Sequence, residues 1–94
     1  MTEKCYKISG RVQGVGFRYW AIRTARRIGE ISGYICNFSD GDVVAYVSGS
    51  EAELNEFYAA LHNGPLFGRV DSVIETPEYK SYFPPIEDGV LKRC

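Results

Sequence analysis

Residues 10–18 read GRVQGVGFR, a pair of closely spaced glycines followed at once by an arginine. Glycines adopt backbone conformations that other residues resist, so successive amides can turn toward one oxyanion and form a nest. If a helix opens just after the glycines, its free N–H groups and positive dipole end add to that site. Arg18 contributes a planar fork that binds two phosphate oxygens at once, which a lysine cannot copy. The chemistry these residues suit is the binding of a phosphoryl group. Two familiar phosphate loops do not fit. No Lys-Ser or Lys-Thr pair follows the glycines, as a Walker A loop requires, and Tyr19 stands where GxGxxG needs its third glycine.

GRVQGVGFR closely resembles the signature loop of the acylphosphatases. Farther on, Asn37-Phe38-Ser39-Asp40-Gly41-Asp42-Val43 resembles the second motif of that family, NxxDGxV. The resemblance spans roughly residues 5–75. It implies a ferredoxin-like α/β fold and hydrolysis of carboxylic-phosphoric mixed anhydrides to a carboxylate and orthophosphate. Carried to matching positions, Arg18 becomes the phosphate-binding arginine and Asn37 the residue that orients the attacking water. The backbone amides of Gln13, Gly14, Val15, Gly16, Phe17 and Arg18 become the phosphate cradle. The family needs no metal and no cofactor. Its substrate is a small acyl phosphate, with orthophosphate expected as product and competitive inhibitor.

Such a reaction also accounts for the residue types that are missing. The leaving group is a carboxylate, whose conjugate acid has a pKa of about 4–5, so it departs without a general acid. Phosphoryl transfer is mainly a matter of positioning and charge stabilisation. The one histidine, His62, falls near the end of a helical segment and is read as solvated.

Positioning these groups requires a strand, a loop and a helix in that order. Residues 5–12 alternate, with Tyr6, Ile8, Gly10 and Val12 on one face, which predicts a half-buried strand. From Phe17 the period turns helical, burying Phe17, Trp20, Ala21, Thr24, Ala25 and Ile28, with Gly29 as the stop. Tyr19, next to Arg18, is a candidate for the mouth of the site. Residues 33–38 and 42–48 predict two strands joined at Asp40-Gly41, a strong hairpin signal. Ser50 and Glu53 form a capping box, opening a helix that buries Leu54, Phe57, Tyr58 and Leu61 and ends at Gly64-Pro65. Residues 69–75 predict a fourth strand. Pro84-Pro85 interrupts the remainder, leaving room for only a short edge strand within 79–92. The order β-α-β-β-α-β is that of an α+β, ferredoxin-like sandwich with two helices on one face of an antiparallel sheet and the other face partly exposed.

Ninety-four residues predict a single domain spanning 1–94. Between residues 4 and 29 lie seven basic residues and no acid, whereas residues 30–94 hold eleven acids against four bases. An anionic ligand is therefore drawn to the first third of the chain. A small anion fits better than a nucleic acid, because the net charge is −1. No run reaches 18 apolar residues and no secretory leader opens the chain, so a cytoplasmic protein without membrane contact is expected, with a monomer as the default. Cys5, Cys36 and Cys94 are an odd set without CxxC spacing; free thiols in a reducing compartment are expected, and Cys36 is given no redox role. An RNA-recognition domain shares the element order, but its third strand should be aromatic and basic, and DGDVVAYVSG is acidic with a single aromatic, Tyr46. The closer alternative is an acylphosphatase-like phosphate-binding or carbamoyl-phosphate-handling domain, as found in hydrogenase maturation proteins. Those tend to carry Pro after the arginine, where this chain has Tyr19.

Overall fold

A computed structural model describes all of residues 1–94. Its elements are β1 (Thr2–Arg11), α1 (Phe17–Ile28), β2 (Ser32–Asn37), β3 (Val43–Gly49), α2 (Glu51–Leu61), β4 (Arg69–Glu75), a 3₁₀ helix (Pro77–Tyr82) and β5 (Leu91–Arg93). The strands form one sheet in the order β4-β1-β3-β2-β5. The first four pair antiparallel, but β5 runs parallel to β2, so the sheet is mixed rather than wholly antiparallel.

Alternation divides the sheet's residues between two layers. Tyr6, Ile8, Ile35, Ala45 and Val47 face the helices and pack with Phe17, Ala21, Ala25, Leu54, Phe57 and Leu61. Trp20, Ile28 and Tyr58, expected in the two buried stripes, are only partly covered at the edges of this core. The capping box forms as the sequence predicts. The Glu53 amide donates to the Ser50 hydroxyl at 3.1 Å, and the Glu53 carboxylate accepts from the Ser50 amide at 2.9 Å.

Two expectations are corrected here. The sheet face away from the helices is not left open: Cys5, Tyr34, Cys36, Val44 and Tyr46 form a second apolar layer, covered by Phe38, Tyr79, Phe83 and Ile86. Five of these nine residues are aromatic rings whose contacts depend on the 3₁₀ turn and the residue after it, a feature without hydrophobic periodicity in the sequence. The short C-terminal edge strand is Leu91–Arg93, past the prolines and at the end of the expected window, which it overruns by one residue. Finally, Cys36 and Cys94 are joined in a disulfide, with Cα atoms 4.8 Å apart, and only Cys5 is a free thiol. The parallel pairing of β5 with β2 sets Arg93 opposite Ile35 and thereby brings Cys94 alongside Cys36. Free thiols were the premise for a reducing compartment, and that premise fails for two of the three cysteines. No helix is long and apolar enough to cross a membrane.

Candidate active site

β1 delivers the chain to the loop at residues 12–16, and α1 begins at Phe17. Gly14 and Gly16 both have positive φ, 74° and 78°, a region that a side chain makes costly. A Cβ at either would meet nothing within 4 Å, so backbone conformation, not lack of space, calls for glycine there. Gly16 caps α1 from this left-handed conformation without any side-chain hydrogen bond to the helix. The first amide of the turn with a protein acceptor is that of Trp20, which donates to the Gly16 carbonyl at 3.0 Å. The amides of residues 14–19 have none, so a fan of unpaired donors lies at the positive end of the helix dipole.

Opposite the loop stands the end of β2. Ile35 belongs to the helix-side core and Cys36 to the other layer, so Asn37 returns to the helix side, exposed at the strand's end. Its position depends on the tight turn that follows. The Phe38 amide donates to the Asp42 carbonyl at 2.8 Å, and the Gly41 amide to the Phe38 carbonyl at 3.1 Å. Asp40 accepts from the Asp42 amide at 3.0 Å and from Lys7 Nζ at 2.7 Å. Asp42 accepts from the Ser9 hydroxyl at 2.9 Å. These bonds tie the turn to β1, the strand that also leads into the loop. The Lys7 ammonium holds the Asp40 carboxyl below its ordinary range, and Asp40, then the Tyr79 hydroxyl, raise Lys7 in turn.

A cavity of ≈ 110 Å³ is lined by Val12, Gly14, Gly16, Phe17, Arg18 and Tyr19 from the loop and α1, by Asn37 from β2 and by Arg93 from β5. Arg18 and Asn37, far apart in sequence, thus share one small space. Arg18 is half-buried and donates from Nη1 to the carbonyl oxygen of Cys94.

The side chains of two residues whose amides are expected in the cradle have contacts elsewhere. Val15 packs against the helix-side core and does not line the cavity. Gln13 also stays outside it, and its side chain bridges loop to turn, donating from Nε2 to the carbonyls of Phe38 at 2.7 Å and Asp42 at 2.9 Å. This strut between the two motifs was missed because its acceptors are backbone carbonyls, which no side-chain pattern displays. Arg93 was missed too. It follows the buried Leu91 by two residues, a signal that alternation offers only once β5 has been placed. His62 is exposed at the end of α2, its Nδ1 2.9 Å from the Tyr58 carbonyl and away from the cavity. Nowhere do three His, Cys, Asp or Glu side chains gather as a metal-binding group.

The sequence and the fold both match known proteins. The family model described as Acylphosphatase matches residues 4–84. The chain is 39% identical to an acylphosphatase of Acidiphilium cryptum (strain JF-5) over 100% of its own length and 98% of that relative. The crystal structure of acylphosphatase from Bacillus subtilis superposes with a TM-score of 0.77 at 36% identity, over 81% of this chain and 83% of that one. The crystal structure of T.kodakarensis HypF superposes with a TM-score of 0.76 at 27% identity, but over 99% of this chain and only 12% of that much longer one.

Proposed function

The chain belongs to the acylphosphatase family and hydrolyses acyl phosphates, and from that premise we propose that Arg18 holds the phosphoryl group while Asn37 places the water that attacks it. What supports this reading is the convergence of Arg18, Asn37 and the glycine loop on one cavity, beside amides that have no partner in the protein.

In this mechanism the amides of the loop and the guanidinium of Arg18 bind the equatorial oxygens, whose charge is spread most widely in the transition state. Asn37 holds a water in line with the scissile P–O bond. The water oxygen bonds to phosphorus as the bond to the acyl oxygen breaks, and the electron pair leaves with the carboxylate. A phosphate oxygen takes the water's proton, which makes a His or Glu base unnecessary. Neither a metal nor a cofactor takes part. The Cys94 carbonyl accepts from one arm of the Arg18 fork and sets its plane before substrate arrives. Orthophosphate, which shares every contact of the transferred group, inhibits competitively. The 94 residues act as one domain and as a monomer.

Hydrolysis of benzoyl phosphate in the presence of a chelator tests the whole scheme. Wild-type protein is expected to turn over at full rate. Asn37→Ala should lower kcat by about 10²–10³ with KM little changed, because the water is held chiefly for the transition state. Arg18→Gln should damage KM and kcat together, since Arg18 meets the charge in both states. A fully active Asn37→Ala protein would remove Asn37 from the mechanism, and dependence on added metal would remove the mechanism itself.

A further inference from the structure

A second, larger concavity adjoins the phosphate cavity. It holds ≈ 780 Å³, within the usual range of small-molecule sites, and runs between the outer side of α1 and the loop that follows α2. Tyr19 and Trp20 form one wall, Leu66 and Phe67 the other, and Arg23 and Arg27 the far end. The apolar residues are poorly covered: Leu66 is 89% exposed, Phe67 77% and Tyr19 60%. Exposed apolar side chains gathered in one place mark a binding surface more often than exposed ones scattered singly. Gly16 and Tyr19 line both this groove and the phosphate cavity, so the two are immediate neighbours.

Sheet order decides what enters from the cavity. Along the edge that carries the site, β4 comes first, then β1, β3 and β2. Asn37 ends β2, the phosphate loop leaves β1, and Pro65–Phe67 precede β4 on the far side of that loop. An in-line displacement sets the leaving group across the phosphorus from the attacking water. With water at Asn37, the acyl oxygen points away from β2 and toward the groove.

We infer that this groove is the acyl-binding subsite, and that it selects acyl phosphates with a large apolar, especially aromatic, acyl group of neutral or negative charge. The inference rests on the roles proposed above for Arg18 and Asn37. The ring of the substrate lies between Tyr19 and the Leu66-Phe67 pair. Arg23, whose guanidinium sits 5.7 Å from the centre of the Tyr19 ring, keeps the groove cationic together with Arg27, so a positively charged acyl group is rejected. Small acyl groups such as acetyl reach none of these walls and are bound through phosphate alone.

The test compares kcat/KM for benzoyl phosphate and acetyl phosphate in wild type and in Leu66→Ser/Phe67→Ser, whose sites are exposed enough to leave folding intact. Within each protein, acetyl phosphate serves as the reference, which removes the intrinsic difference in leaving group. The benzoyl-to-acetyl ratio should fall about 10–100-fold in the variant, mainly through KM, and return with Leu66→Met/Phe67→Tyr. An unchanged ratio in an active enzyme overturns the subsite while leaving the catalytic reading intact. Hydrolysis of neither compound by the wild type overturns that reading and the subsite with it.

Discussion

The loop at residues 12–16 and Arg93 of the C-terminal strand line one cavity, yet the segments that carry them are held in place by opposite means. The loop's shape is local: two positive-φ glycines and a helix start fix its amides, and each constraint lies within a few residues of the next. The C-terminal wall is positioned by contacts distant in sequence. Leu91–Arg93 pair with β2, Gly33 donates to the Val90 carbonyl at 2.8 Å, and the disulfide joins positions 58 residues apart. One wall is therefore rebuilt whenever a short segment regains its conformation, whereas the other exists only when the whole sheet does. Arg18 belongs to both, since it stands on the loop's helix and donates to Cys94.

Breaking the distant wall should produce the larger change in stability. Closing a loop of 58 residues removes unfolded-state entropy worth about 4 kcal/mol at 25 °C in the chain-entropy account. Reduction with a dithiol, or Cys36→Ser, should lower the unfolding free energy by an amount approaching that figure, read from urea denaturation. Orthophosphate affinity of the fraction still folded should change much less, because the loop's amides do not depend on the bridge. An equal loss of both would mean that the two walls are one cooperative unit. A smaller effect is expected at the joint between the loop and the turn. Gln13→Leu removes two hydrogen bonds, whose acceptor carbonyls each keep one backbone donor, at about 1–3 kcal/mol in total. It should lower kcat more than it raises KM, as the turn carrying Asn37 drifts from Arg18. A rise in KM alone would show that Gln13 shapes the cradle itself.

The same contrast explains what could be read from the sequence. The loop, the Asp40-Gly41 turn and the capping box at Ser50 are patterns in which the interacting residues are neighbours, and all three take the predicted form. β4 falls on its predicted residues, Arg69–Glu75, for a similar reason: a run of alternation bounded by turn residues. Residues 76–94 offer no such pattern. Tyr79 and Phe83 are partly covered by Phe38, Tyr34 and Tyr46 across the sheet, and β5 is a strand only because β2 offers an open edge. The disulfide was illegible for the same cause, since parity and spacing of cysteines say nothing about which strands will lie side by side. At the site, Arg18 and Asn37 were found through motifs, while Gln13's strut and Arg93 became visible only with the sheet assembled.

The smallest expected effect concerns the ion pair that fastens the turn to β1, and it follows from pH. Asp40 titrates below the ordinary carboxylate value because Lys7 Nζ, then the Asp42 amide, stabilise its charged form. An acid whose pKa is lower in the folded state contributes stability above its unfolded value of about 4 and loses it as pH falls through the folded one. Lys7 is shifted upward, chiefly by Asp40 and next by the Tyr79 hydroxyl, so its contribution is complete below about pH 10 and is lost above the raised value. The turn should consequently be fastened across the neutral range and loosen at both extremes. Because Glu3, Glu53 and Asp71 are also held low by their own partners, acid unfolding of the wild type alone does not isolate this pair. The difference in urea midpoint between wild type and Lys7→Met does. It should be roughly constant from about pH 5 to pH 9 and shrink toward the difference left by Tyr79 contacts as Asp40 protonates. In an Asp40→Asn background the acid part of that shrinkage should become much smaller. If the shrinkage persists in full, Asp40 does not fasten the turn, and the Ser9–Asp42 hydrogen bond becomes the link between β1 and Asn37.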